Sequence, residues 1–180
     1  MSALSLSIRH ARTDDLPAIQ EIFNEVILNS TAVYTDTPVT LDNRRAWFQS
    51  RVDEGFPVLV AVDAADDARV LGFASYGLFR PAWPGYRHTV EHSVHVHAAH
   101  RGQGIGSALI RALMPLARGQ QMHVMLGVID AQNENSIRLH ERLGFRQAGK
   151  LSQVGRKFDR WLDVVFVERR LDAVDEAESR

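Results

Sequence analysis

The alternation of apolar and polar positions divides the chain into eleven predicted elements. Leu6 and Ile8 alternate with polar neighbours and predict a short first strand ending near Arg12. Thr13 reads as an N-cap, with Asp14 and Asp15 in the first turn, where carboxylates suit the helix dipole. Leu16, Ile19, Ile22, Val26 and Ile27 then recur at helical spacing, so a helix runs to about Asn29. Residues 30–38 show no period and read as a loop lying against something. Thr40 caps a second helix over about 41–54, closed by Gly55. A compact apolar run at 57–63 predicts a buried strand. Residues 64–69 predict a turn, and 70–79 the return strand of a hairpin. The loop at 80–87 holds Trp83 and Tyr86 and suits the wall of a pocket.

Residues 89–97 carry valines at 90, 94 and 96 and predict a strand. A helix follows from Ile105 to about Gly119, with Pro115 inside it as a potential kink. The remaining pattern predicts a strand at 123–129, a helix at 133–143 terminated by Gly144, and strands at 145–154 and 158–171. Residues 172–180 are polar and acidic and read as a frayed tail. The order β α α β β β α β α β β describes a mixed α/β chain, a single domain over 1–171, whose middle strands meander and whose later strands alternate with helices. It is not a regular doubly wound order.

Composition narrows the field. At 180 residues, with 45% apolar and 24% charged residues, the chain is long enough for a full core. Its formal net charge of −1 gives no general attraction to nucleic acid or to an anionic membrane, and neither is expected as a partner. With no cysteine, disulfides, thiolate nucleophiles and Cys-based zinc sites are excluded. The N-terminal residues lack a signal-peptide apolar run, and no stretch reaches the ~18 apolar residues of a membrane span, so a cytoplasmic protein is expected.

The chemistry concentrates between residues 89 and 107. Arg101-Gly102-Gln103-Gly104-Ile105-Gly106 places three alternate glycines between a strand and an apolar helix. Glycines let phosphate oxygens approach the backbone without a Cβ clash, and the free N–H groups of a first helical turn point at the anion. Glu91 stands on the strand upstream. A buried carboxylate without a partner is costly, so Glu91 is either a salt-bridge partner, for example of Arg80 or Arg87, or a reacting group.

Three other chemistries fit less well. A dinucleotide fingerprint would need Gly or Ala where Ser107 stands, although Asp130 does lie at the end of the next strand, where a ribose-binding acid belongs. The histidines at 88, 92, 95, 97 and 100 invite a metal, but no cysteine or second carboxylate pair completes a site, and none is expected. A Ser-His-Asp hydrolase would want G-x-S-x-G, which is absent.

Two motifs together resemble a known superfamily. Residues 101–106 fit the R/Q-x-x-G-x-G/A signature of the GCN5-related N-acetyltransferases (GNAT), and residues 133–145, an Asn-led helix ending in Leu143-Gly144-Phe145, fit their second signature. Residues 89–94 and 153–163 are similar to the phosphinothricin and methionine sulfoximine or sulfone N-acetyltransferase branch, as are 31–34 and 44–48. The resemblance implies a GNAT fold: a mixed, mostly antiparallel sheet with splayed central strands, flanked by about four helices. It also implies a cytoplasmic homodimer that acetylates the α-amine of a small amino-acid-like substrate from acetyl-CoA.

Carried onto this sequence, the resemblance implies that Val94, His95 and Val96 meet the acetyl and pantetheine portion through their backbone. Arg101, Gly102, Gln103, Gly104, Ile105, Gly106 and Ser107 would hold the pyrophosphate, and Asn133 and Ser136 the CoA arm. Arg80, Trp83, Glu91, His92 and Ser93 would surround the substrate, with Arg80 on its carboxylate and Tyr34 closing the pocket. Glu91 would be the base that deprotonates the ammonium, since only the free amine attacks a thioester. His140 stands where the family often has the tyrosine that reprotonates the thiolate, which leaves the acid open. The loop at 78–85 is one residue longer than the branch's usual form, which leaves the substrate open too. Acetylation of protein N-termini or lysines, and a non-catalytic acetyl-CoA-binding module, are the competing readings.

Overall fold

The computed structural model describes residues 5–171; the polar tail expected at 172–180 lies outside the described residues. Its frame is a seven-stranded sheet in the order β1-β2-β3-β4-β5-β7-β6. The strands are β1 (Leu6–His10), β2 (Val58–Asp63), β3 (Asp66–Leu78), β4 (Thr89–Val96), β5 (Val124–Asp130), β6 (Arg146–Lys157) and β7 (Arg160–Arg170). The helices are α1 (Leu16–Asn29), α2 (Leu41–Asp53), α3 (Ile105–Gly119) and α4 (Glu134–Arg142). Every pairing is antiparallel except β4 with β5, which α3 connects as a crossover.

The apolar run of β2 is explained by helices on both faces of the sheet. Leu59 and Ala61 pack with Leu109, Ile110 and Leu113 of α3. Val58, Val60 and Val62 pack with Leu16, Ile19 and Ile22 of α1. Burial of each such aliphatic side chain stabilises by about 1.5–3 kcal/mol, and the two half-cores together fix the register of the central strands.

Several boundaries differ from expectation. β1 ends at His10, and a 3-10 turn over Thr13–Asp15 precedes α1. Thr13 is therefore not the cap: the Asp15 carboxylate accepts the Arg12 backbone N–H and two N–H groups of Arg9. β3 starts at Asp66 rather than at 70, because Arg9 and Arg12 bind the Asp67 carboxylate and hold this polar end against β1. α3 runs unbroken through Pro115. The last hairpin is tighter than its polar sequence suggested. β6 extends to Lys157 and turns at Phe158 and Asp159, both at positive φ. Lys157 is the reason: it is 1% exposed, and its ammonium donates to the Ile27 and Val33 carbonyls at 2.5 and 2.7 Å.

Candidate active site

β4 and β5 are paired only at Thr89↔Val124, Val90↔Met125 and Glu91↔Leu126. Beyond Glu91 the two strands have no ladder, and a cleft of about 500 Å³ opens between them. Residues of β4 alternate across it. Val90 packs on the α3 side and His95 on the Phe23 and Phe73 rings of the other face, so Glu91, Ser93 and His95 look toward α1 and α2, while His92 looks toward α4.

On the α1/α2 side, Glu91 is accessible at the cleft, yet the surrounding protein removes enough water to push its carboxyl above the ordinary value. His95 is pushed down to about 4 by burial, with Arg44 and Arg101 adding to the effect, and is neutral at pH 7. Tyr34 forms a wall, its hydroxyl donating to the Asp163 carbonyl at 3.1 Å. Burial, with Asp130 and Asp163 nearby, raises that hydroxyl to about 12, so it stays protonated.

On the α4 side, His92 and His140 are 6% and 3% exposed, and their Nε2 atoms are 3.0 Å apart. Burial lowers both rings, with His92 pushed to about 3. At the cleft mouth, the Asn133 side chain caps α4 by accepting the Ser136 N–H at 3.1 Å.

The glycine loop lies where the sequence placed it. Gly102 and Gly104 have φ of +77° and +81°, Gly104 caps α3, and nothing stands within 4 Å of a Cβ built on either. Gly106 is buried, facing Leu139, Val94 and Val96 across the packed α3–α4–β4 junction. Arg101 is turned away from the loop: its guanidinium donates to the Val96 carbonyl at 3.2 Å and pairs with Glu25 of α1.

Of the residues read from sequence, Tyr34, Glu91, His92, Ser93, Val94, His95, Asn133, Ser136 and His140 line the cleft. Arg80 and Trp83 do not. Arg80 sits over the Tyr86 ring at 5.5 Å, and Trp83 is 63% exposed. Two charged residues of the cleft, Arg44 and Asp130, were not among the site residues read from sequence. Arg44 of α2 is 9% exposed and stacks over Phe23 and Trp47 at 4.4 and 5.1 Å. It has no carboxylate partner among the described residues. Asp130 at the end of β5 is buried, with Oδ2 unpartnered. The Arg44-Arg45-Ala46-Trp47-Phe48 stretch was a legible signal, but α2 has too weak an apolar stripe to show which way Arg44 faces.

A carboxylate, an arginine held by Asn43 rather than by a carboxylate, and aromatic walls on one face, with an imidazole pair on the other, suit binding of a zwitterion beside a proton donor and a proton acceptor. Among the described residues no cluster of three or more His, Asp or Glu side chains is arranged to hold a metal ion.

Residues 18–145 match the model of the acetyltransferase (GNAT) family. The chain is 51% identical over 169 residues to the L-methionine sulfoximine/L-methionine sulfone acetyltransferase of Pseudomonas paraeruginosa, a match covering 94% of this chain and 96% of that protein. It is 35% identical over 176 residues to the phosphinothricin N-acetyltransferase of Alcaligenes faecalis, covering 97% and 87%. In three dimensions it resembles an acetyltransferase of Salmonella typhimurium solved with its cofactor acetyl-CoA, with a TM-score of 0.89, 43% identity and coverage of 98% and 99%.

Proposed function

The chain belongs to the acetyltransferase (GNAT) family, and from that premise we infer that it is an acetyl-CoA-dependent N-acetyltransferase acting on the α-amine of a small amino-acid-like substrate, of the methionine sulfone, methionine sulfoximine or phosphinothricin type. The observation that carries this reading is the fork after Glu91. Residues 92–96 of β4 have no partners on β5, which leaves main-chain groups for the amides of a pantetheine arm. The open space at Gly102 and Gly104, at the start of α3, suits a pyrophosphate.

Glu91 accepts a proton from the substrate ammonium, and its raised pKa makes it a better base than an ordinary glutamate. Main-chain N–H groups of residues 94–96 stabilise the oxygen on which charge develops. His140, on the opposite side of the fork, returns a proton to the departing sulfur. Tyr34, Ser93 and Trp47 bound the substrate. Its carboxylate goes to Arg44, which stacks on Trp47 in the cleft and has no carboxylate partner among the described residues. Arg80 keeps a role only where a second copy presents its loop.

Such a second copy is part of the reading. Leu151, Val154, Phe158 and Trp161 leave an exposed apolar patch on the β6–β7 hairpin, with Trp83 exposed on the loop before β4. Covering them in a homodimer removes that surface from water. Sedimentation should give twice the chain mass, and Trp161→Glu should give the single mass. The cytoplasm, which supplies acetyl-CoA, is the compartment proposed. Thiol release from acetyl-CoA, measured with methionine sulfone, methionine sulfoximine, phosphinothricin, the ordinary amino acids and short peptides, tests the function.

A further inference from the structure

The His92–His140 contact sets a proton count. His92 Nδ1 is 2.7 Å from the Leu126 carbonyl, and His140 Nδ1 is 2.7 Å from the Ser136 carbonyl. A carbonyl oxygen only accepts, so both Nδ1 atoms carry hydrogen. A neutral imidazole has one N–H, and with both rings neutral the two Nε2 lone pairs would face each other at 3.0 Å with nothing between. One added proton turns this repulsion into an N–H···N bond. Burial works against charge on either ring; the N–H···N bond gained with the first proton offsets that cost, whereas a second would set two N–H groups and two charges against each other. Three protons on four ring nitrogens is the arrangement that satisfies every atom.

The surroundings hold the rings in this contact. Phe145 packs on His92 and His140 at 5.4 and 5.2 Å between ring centres. A Cβ at Gly127 of β5 would come within 2.9 Å of the His92 ring and 3.6 Å of His140 Nε2. Val167 of β7 is the apolar neighbour on that side. The carboxylates of the same cleft are Glu91, on the opposite face of β4, and Asp130, at the far end of β5. Glu134, Arg138, Glu141 and Arg142 of α4 are exposed on its outer surface.

We propose that His92 and His140 hold one proton between their Nε2 atoms, and that His140 delivers this proton to the sulfur of the leaving CoA, with His92 the positioning residue that stores it there. This rests on the acetyl-transfer reading. In the transfer, a C–N bond forms, the C–S bond breaks, the substrate nitrogen loses two protons and the sulfur gains one. Glu91 takes the first nitrogen proton and passes it to water. The second, relayed through the cleft, restores the pair, so one proton is released per turnover.

The test begins with 15N-histidine NMR of the whole protein without acetyl-CoA, between pH 5 and 9. The expected spectrum has both Nδ1 atoms protonated and both Nε2 signals intermediate between bare and protonated, moving together. A ring with a bare Nδ1, or two bare Nε2 atoms at pH 7, overturns the pair. In kinetics, His92→Phe should lower kcat ~10²-fold with both KM values little changed, and shift the alkaline limb of the kcat profile. His92→Gln, whose amide oxygen can accept from His140, should recover most of that loss. Wild-type kcat and pH profile in His92→Phe overturn the delivery step. Should His92→Phe not fold, Gly127→Ala, which crowds the rings apart, must lower kcat instead. The NMR signature needs no turnover, so an intact pair in a protein inactive on every amine would refute the acetyl-transfer reading and not the pair.

Discussion

Glu91 and Leu126 are the last residues at which the parallel strands β4 and β5 remain in register. One residue later the sheet forks. The carboxylate thus stands at the apex of the cleft, on the face opposite the imidazole pair, the arrangement expected if one is to accept a proton and the other to donate one.

Replacing Glu91 by Gln should lower turnover by ~10²-fold or more while acetyl-CoA still binds. The base must be ionised to work, so wild-type activity should fall as pH drops through the Glu91 pKa. Because burial raises that pKa, the acid limb should lie above the ordinary value of 4.5. The variant's profile should lack this limb; wild-type rates from pH 6 to 9 would remove Glu91 from the mechanism.

Arg44 and Arg80 make distinguishable demands. With Arg44 on the substrate carboxylate, Arg44→Leu should raise the amine KM by ~10²-fold, since a charge-assisted pair is lost, and leave the acetyl-CoA KM alone. Arg80→Leu should do the same only if a second copy brings the loop to the cleft, and then the effect should vanish in the monomeric Trp161→Glu protein. Steady-state kinetics on the wild type, Arg44→Leu, Arg80→Leu, Trp161→Glu and the Arg80→Leu/Trp161→Glu double variant decides it.

Gly155 of β6 lies against the Tyr34 ring so closely that a Cβ there would be 2.0 Å from it. Gly155→Ala must displace the ring. It should raise the amine KM several-fold with little change in stability, as urea unfolding would show. Lys157→Met, which frees the Ile27 and Val33 carbonyls, should disturb the same wall and also destabilise the protein by about 2 kcal/mol.

The Arg9–Asp15 pair anchors β1 to the start of α1. Burial alone would raise the Asp15 pKa, but hydrogen bonds from Arg9 and from the Arg12 N–H outweigh it, and the net shift is downward. A lowered folded-state pKa contributes stability that is present above the unfolded value and lost as pH falls through the folded one. Asp15→Asn should therefore be less stable than wild type by about 2 kcal/mol at pH 7 and converge with it in acid. A constant difference down to the acid transition would contradict the assignment.

Much of this was legible in the chain. Strands buried on both faces announce themselves as unbroken apolar runs, as in β2, and helices with strong stripes as periodic ones, as in α3. The glycine loop and the Asn133 cap carry local rules that need no tertiary context. What sequence reading missed was set by contacts distant in sequence. Lys157 looks like a turn residue until the Ile27 and Val33 carbonyls, more than 120 positions away, accept hydrogen bonds from its ammonium. Arg44 looks like a solvated helix position until Phe23 and Trp47 bury it. His92 was placed around the substrate by resemblance alone; alternation along β4, which sets it on the face opposite Glu91 and Ser93 and against His140, shows only in three dimensions.

Transfer of an acetyl group to the α-nitrogen of a small amino acid in the cleft at Glu91 is the reaction proposed. Its most direct measurement couples thiol release to mass spectrometry of the product. With acetyl-CoA and L-methionine sulfone, one CoA thiol should appear per N-acetyl methionine sulfone, with peptides far poorer acceptors and Glu91→Gln nearly silent. Acetyl-CoA binding with no acetylated product from any amine, or a preference for peptide N-termini or lysines, would contradict it.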